Sequence, residues 1–382
     1  MTTRLGVVVM NRWLARRRQV AAMVLGGLLA VAACSDGQGE PSGFSVAALE
    51  SSINEHFVVR AIDQVRAVVI LQHGKTLLAD YRGSTPRTTW DIESVTKSIL
   101  SILVGKAIDE GRLSLDQTLA ELLPEHVGMM ARWQQRLTLR DLLTHFGGFS
   151  GDDGATFGLM SEPDVVDLML SRARRPASGQ FLYSNEGSQI IATILRRATG
   201  MSVLEYARTR LFDPLSIDTR PALDRPVSSQ VSAADLEEYV GAGFAWPVDS
   251  AGTHLGWGLV KLTPADLAKV GTLMLNGGTW EGSQILSEAW VRESTGNQVS
   301  TDSSSSVAIW PAYGYHWWVT TAGDEAAFLA WGFGGQMVEV VPDEGLVVVV
   351  ARELDYRNLV TTGVDPRALT DLVDEVIVPA LP

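Results

Sequence analysis

Two apolar runs bounded by turn residues mark an early hairpin. Val68-Val69-Ile70-Leu71 and Thr76-Leu77-Leu78-Ala79 flank Gln72-His73-Gly74-Lys75, where Gly74 supplies a positive φ. Near the other end, Gln336 to Val341 and Leu346 to Ala351 are β-rich runs separated by Pro342-Asp343-Glu344-Gly345, a turn by its Pro and Gly positions. After them Asp365-Pro366 opens a helix with Leu369, Leu372, Val373, Val376 and Ile377 on one face. A sheet built from both chain ends, with a terminal helix packed on it, follows from these patterns.

The middle of the chain reads as mostly helical. Ile99, Leu100, Leu103, Val104, Ala107 and Ile108 line one face of a helix that opens near Ser94 and ends before Gly111. Further helices are expected over Leu139 to Thr144, Pro163 to Ser171, Ser188 to Ala198 and Val203 to Leu211. Thr263-Pro264-Ala265-Asp266 is a helix start with a capping Thr and Pro in the first turn. The expected fold class is therefore α/β of the α+β kind: a central antiparallel sheet flanked by helices, with an inserted mostly helical subdomain. Residues 51–93 and 255–382 form the sheet half in this reading, and 94–254 the helical half.

The N-terminal 50 residues differ in kind. Arg16-Arg17-Arg18 precede an apolar run from Val20 to Ala33, too short for a bilayer span, ending in small residues directly before Cys34. That layout is expected of a signal peptide over residues 1–33. Val31-Ala32-Ala33-Cys34 resembles the lipobox of bacterial lipoproteins, which implies acylation of Cys34. Residues 34–50 then read as a lipidated tether, and the expected localisation is the bacterial cell envelope, with the membrane as a partner through that lipid. An uncleaved anchor, or an ordinary secretory signal with an incidental Cys, stays open, as does Met10 as the true start.

Length and charge narrow the function. A chain of 382 residues, 46% apolar and 20% charged, holds one large or two intermeshed domains. Net charge is −13, and the first 33 residues carry five arginines and no acid, leaving 26 basic against 44 acidic side chains for the rest. No cationic footprint for nucleic acid is expected there. The single cysteine excludes an internal disulfide framework, and the six histidines lack ligand spacing, so no metal is expected. No cofactor is expected either. Gly74-Lys75-Thr76 has Val69 where a phosphate loop needs its first glycine, and Gly332-Phe333-Gly334-Gly335 lacks the final glycine of a dinucleotide fingerprint.

Ser94-Val95-Thr96-Lys97 remains. Three apart on a helix, hydroxyl and amine share one face, so a proton can pass between them if the amine is neutral. Ser94 also falls at the helix N-terminus, where backbone N–H groups favour developing negative charge. Downstream, Tyr183 and Asn185 lie two apart in an extended or turn segment before an apolar helix and point the same way. Tyr183 is placed to share the proton with Lys97, and Asn185 to orient the lysine or a substrate carbonyl. Tyr356 to Asn358 repeats the Tyr-x-Asn pattern, so a structural role for Tyr183 stays open.

The order Ser94-x-x-Lys97, then Tyr183-Ser184-Asn185, then the glycine-rich strand at Trp331-Gly332, resembles the serine β-lactamase and penicillin-binding superfamily. Within it, the class C β-lactamase-related group fits best, with family VIII esterases and 6-aminohexanoate-dimer hydrolases. Leu139-Arg140-Asp141-Leu142-Leu143-Thr144-His145 and Gly332 through Pro342 also resemble family text in family order. The resemblance implies a β-lactamase/DD-peptidase-like fold and an acyl-enzyme route. Ser94 is the implied nucleophile, Lys97 and Tyr183 manage its proton, and the backbone N–H groups of Ser94 and Phe333 form the oxyanion hole. Asn185, Trp331 and Gly332 are candidate substrate contacts, and Asp153, with Asp152 on the Gly-rich loop after His145, either contacts substrate or belongs to a solvated loop. His145 is expected to fix structure.

One departure matters. The family's lactamases and penicillin-binding proteins carry Lys-Thr-Gly on the third-motif strand, where the cation binds a carboxylate; here that stretch is Leu329-Ala330-Trp331-Gly332. An apolar or neutral substrate group is expected instead, and the run Tyr313, Tyr315, His316, Trp317 and Trp318 either walls the same cleft or packs the core. The expected function is an envelope-anchored serine hydrolase of carboxylesterase or amidase type, cleaving a small ester or linear amide. The alternatives are a DD-peptidase or weak β-lactamase on cell-wall-type substrates and, from another class, a non-catalytic binding lipoprotein.

Overall fold

The computed structural model describes residues 44–151, 153–174, 180–228, 230–301, 309–356 and 363–382. Cys34, Asp152, Asn358 and the side chain of Asp153 lie outside the described residues. Strands β1 (Val65–Gln72) and β2 (Lys75–Tyr81) form the expected hairpin, with His73 as well as Gly74 at positive φ in its turn. Two short antiparallel pairs stand apart from the main sheet: β3 (Trp90–Asp91) with β4 (Lys261–Leu262), and β5 (Thr279–Trp280) with β6 (Ser283–Gln284). The remaining strands are β7 (Val299–Ser300), β8 (Ala312–Tyr313), β9 (Trp318–Ala322), β10 (Glu325–Gly332), β11 (Gln336–Val341) and β12 (Leu346–Arg352).

The main sheet has the order β2-β1-β12-β11-β10-β9-β8-β7, antiparallel throughout. The two chain ends meet inside it, since β1 pairs with β12 from Val65 opposite Arg352 to Gln72 opposite Leu346. Both faces are covered. Val69, Val338, Val340, Val347 and Val349 enter a core with the Val95–Asp109 and Pro264–Leu275 helices. Val68, Ile70, Met337, Val341, Val348 and Val350 enter a second core with the Val46–Val59 and Pro366–Leu372 helices. This is why β12 reads as an unbroken apolar run: alternation appears only where one face meets water.

The Val95–Asp109 helix is buried on nearly all sides, with Leu100 and Leu103 fully inside. Truncating either leucine to Ala costs about 2–5 kcal/mol by the usual cavity cost. Several boundaries differ from the sequence pattern. The Val46–Val59 helix, capped by the Ser45 hydroxyl, reaches back into the stretch 34–50. The helix expected from Pro163 begins at Val165, because Asp164 adopts a left-handed φ of 56°. The helix expected from Ser188 begins at Asn185, because the Ser184 hydroxyl accepts the Gly187 N–H and starts it a turn earlier. Ala233–Gly241 is a further helix, opened by a capping box between Ser232 and Asp235. No helix among the described residues is long and apolar enough to cross a membrane.

Candidate active site

The approach to Ser94 is built by β3. Its pairing with β4, and an Ile92 N–H bonded to the Val260 carbonyl at 2.9 Å, bring the chain to a sharp turn. Asp91 Oδ1 accepts the Glu93 N–H at 2.8 Å, and Glu93 takes a φ of +49°. A left-handed glutamate costs about 1 kcal/mol or more, so neighbouring structure must hold it there. Ser94 follows at the N-cap of the Val95–Asp109 helix with φ −68° and ψ −6°. A capping serine ordinarily has extended dihedrals and spends its oxygen on the helix's own N–H groups. Ser94 makes no such bond. Its hydroxyl is left to Lys97, whose Nζ lies 2.9 Å away.

Lys97 is 1% exposed. Its Nζ also reaches Asn185 Oδ1 at 2.7 Å and the Trp257 carbonyl at 3.0 Å. These oxygens suit the amine in two protonation states. An ammonium donates to all three; a neutral amine keeps two hydrogens for Asn185 and Trp257 and turns its lone pair to the Ser94 hydroxyl, which then donates. The second state is the one that takes the serine proton. Tyr183 completes the corner: Nζ lies 4.8 Å from its ring centroid, and the ring is stacked on Trp318 at 5.9 Å with a 10° tilt.

Two histidines back this corner. His145 lies 4.6 Å from the Tyr183 ring and 5.0 Å from His316, centroid to centroid. Its Nδ1 accepts the Ser184 N–H at 3.3 Å, which places the ring proton on Nε2, 3.2 Å from the Tyr313 hydroxyl. His316 Nδ1 donates to the Lys97 carbonyl at 3.1 Å, and the Ser98 hydroxyl donates to the His316 carbonyl at 2.7 Å. Burial, with the Lys97 charge, pushes His316 down to about 3. Burial also holds His145 well below its ordinary value, helped by His316 and Lys97. Both are neutral supports, in line with the structural role expected for His145.

The turn after β10 stands against the same corner. A Cβ on Gly332 would lie 2.4 Å from the Ile92 carbonyl oxygen and 3.0 Å from Glu93 Cβ, so only glycine fits this close approach. Phe333 follows in the turn. Among the described residues neither its backbone N–H nor that of Ser94 donates to a protein group. The turn is braced from behind by Arg352, whose guanidinium binds the Gly334 carbonyl and, at 2.7 Å, the Asp63 carbonyl.

Ser94, Lys97, Tyr183 and Asn185 thus come together, with Gly332 and Phe333 beside the serine turn. Trp331 is half-buried against Trp310 at 5.5 Å, and Trp310 lies 5.2 Å from Trp318, extending the aromatic wall behind Tyr183. The aromatic run upstream divides. Tyr313 and Trp318 flank Tyr183, His316 lies behind Lys97, and Tyr315 and Trp317 belong to the helical-side core. Sequence reasoning missed the Trp257 carbonyl, the left-handed Glu93 and the His316 contact. The first is a backbone group with no residue signature, and the others carry no motif. No cluster of three or more metal-ligating side chains occurs among the described residues.

Residues 58–367 match the Beta-lactamase family model, so the chain belongs to that family. It is a serine hydrolase of the β-lactamase and penicillin-binding type. It is 25% identical over 309 residues to a 6-aminohexanoate-dimer hydrolase of Paenarthrobacter ureafaciens, covering 74% of this chain and 71% of that protein. It is 27% identical over 301 residues to penicillin-binding protein 4 of Amycolatopsis lactamdurans, covering 74% and 75%. In fold it resembles EstCE1, a hydrolase with promiscuous acyltransferase activity, with a TM-score of 0.65 at 14% identity over 87% of this chain and 98% of that one.

Proposed function

We propose that the protein hydrolyses a small ester or linear amide through an acyl-enzyme on Ser94. The observation that carries this is the Lys97 amine, buried and shared between the Ser94 hydroxyl, Asn185 and the Trp257 carbonyl. In acylation the Ser94 proton passes to the neutral amine as Oγ bonds the substrate carbonyl carbon. The oxyanion is received by the N–H groups of Ser94 and Phe333. Collapse breaks the bond to the alcohol or amine, which leaves with the proton held by Lys97, Tyr183 sharing the transfer. Water then attacks the ester, gives its proton to the same base, and releases the acid and the free serine. Trp331 and Gly332 line the approach, and Asn185 orients the lysine.

The missing cation at the third motif favours neutral substrates over β-lactams and peptide carboxylates. The intact Ser94 and Lys97 pair, tied by a direct hydrogen bond, favours an enzyme over a mere binding lipoprotein. Purified protein lacking residues 1–34, given p-nitrophenyl butyrate, a linear amide and nitrocefin, is expected to turn over the ester or the amide with little nitrocefin cleavage. Fast nitrocefin hydrolysis with inert esters and amides would overturn the assignment in favour of a β-lactamase. We place the enzyme in the cell envelope through acylation of Cys34. Cys34→Ser is expected to abolish lipid labelling and release the protein from membranes, and an unchanged membrane fraction would contradict that placement.

A further inference from the structure

A cavity of about 750 Å³ opens on the flank of the serine turn. Glu93, Trp257 and Phe333 all line it. They are, in turn, the residue before Ser94, the residue whose carbonyl accepts from Lys97, and the residue whose N–H is assigned to the oxyanion. The cavity therefore adjoins the reacting centre. Phe157, Leu223, Leu236 and Leu259 give it a largely apolar wall, which Ser232 and Asp235 interrupt at one side. Among the described lining residues the one guanidinium, that of Arg225, is bonded to Asp235 at 2.9 Å and Glu238 at 2.7 Å.

A second observation sets this cavity apart. Two of its lining residues, Glu93 and Leu259, are non-glycine residues at positive φ, +49° and +65°. They face each other just past the same end of the β3–β4 pair, next to the Ile92 N–H to Val260 carbonyl bond. A left-handed leucine is costly, and residues held in such a conformation concentrate at ligand sites. The strain here presents a branched apolar side chain to the cavity where glycine would have met the backbone requirement at no cost.

We infer that this cavity is the binding site for an apolar, uncharged chain of the substrate, longer than the acetyl or butyryl groups of simple test esters. The inference rests on the acyl-enzyme reading and names the substrate class of that same site. A volume of this size suits a chain of many carbons, and its wall offers no unpaired guanidinium to a carboxylate. Each methylene moved from water onto such a wall raises kcat/KM by about two- to fourfold until the cavity is filled.

The test is a p-nitrophenyl ester series from acetate to decanoate, with a chain ending in a carboxylate as a further arm and active-site titration by a fluorophosphonate. Wild-type kcat/KM is expected to climb at least tenfold from butyrate to octanoate, and the carboxylate-ended chain to lose that gain. Leu223→Trp, which fills the cavity, is expected to cut octanoate turnover tenfold or more while leaving acetate within about twofold. Leu259→Gly relieves the backbone strain while removing one side chain from the wall, so it is expected to fold and to flatten the chain-length dependence. A chain-length profile that is flat in the wild type, or Leu223→Trp lowering acetate and octanoate by one factor, would overturn the inference. If Ser94 takes the label and butyrate is cleaved with a flat profile, only this inference falls; if Ser94 takes no label and no ester is cleaved, the acyl-enzyme reading falls first.

Discussion

Two buried ionisable groups, both almost wholly cut off from water, show how differently the fold uses burial. Lys97, 1% exposed, has the Ser94 hydroxyl, Asn185 Oδ1 and the Trp257 carbonyl within 3.0 Å of its Nζ. Glu339, fully buried on β11 between Leu329 and Val348, has no hydrogen-bond partner among the described residues for either carboxyl oxygen. Burial, with Asp374 nearby, pushes its carboxyl well above the usual range, so it is held as the neutral acid. The first group has acceptors for every state a proton relay needs. The second resolves its burial by giving up its charge, a cost to stability with no chemistry attached.

Breaking the lysine corner has the largest expected effect. Ser94→Ala and Lys97→Met should each lower kcat/KM by about a thousandfold or more, because nucleophile and base act as a unit and the double variant loses little further. Steady-state kinetics on an ester checks this, and additive losses would separate the two groups. Asn185→Asp is a sharper change. It sets a carboxylate where an amide oxygen now lies 2.7 Å from Nζ, which favours the ammonium. The acidic limb of the pH–rate profile is then expected to move up by about one unit or more, with activity at pH 7 falling and partly returning at higher pH. An unmoved limb would show that Lys97 is not the titrating base.

At Glu339 the expected effect has the opposite sign. Glu339→Leu should stabilise the fold by about 1–3 kcal/mol in denaturant titration near neutral pH. The folded state holds the Glu339 proton after the unfolded chain has lost it, so wild-type stability falls as pH rises above the ordinary glutamate range. The advantage of the Leu variant should therefore grow from pH 5 to pH 8. His316 contributes a smaller effect at the acid end. Its folded value of about 3 lies below that of a free imidazole, so the unfolded chain binds a proton first and stability declines as pH falls from about 6.5 toward 3. His316→Asn should soften that decline by about 1 kcal/mol or more at pH 4.

What could be read from the chain follows the same division. The β1–β2 hairpin, β11, β12 and the Val95–Asp109 helix announce themselves, because two-sided burial leaves apolar runs and the turns between them need Gly or Pro. Ser94 and Lys97 are legible for a related reason: three-residue spacing on a helix is itself a spatial statement. Asn185 was visible as a residue but not as the first turn of a helix, which the Ser184 cap starts earlier than the apolar pattern shows. The Trp257 carbonyl has no signature, since any residue provides one. Glu93 and Leu259 escaped notice because positive φ is read from glycine, and neither is glycine. The cavity they line joins segments from Glu93 to Tyr356 that no local pattern connects.

The account rests on a serine hydroxyl made reactive by the amine 2.9 Å behind it. Mass mapping of a fluorophosphonate adduct, with its rate of formation, tests this most directly. One adduct is expected, on the peptide carrying Ser94, forming at least a hundredfold more slowly in Lys97→Met. An adduct on another residue, or the same rate without the lysine, would contradict it.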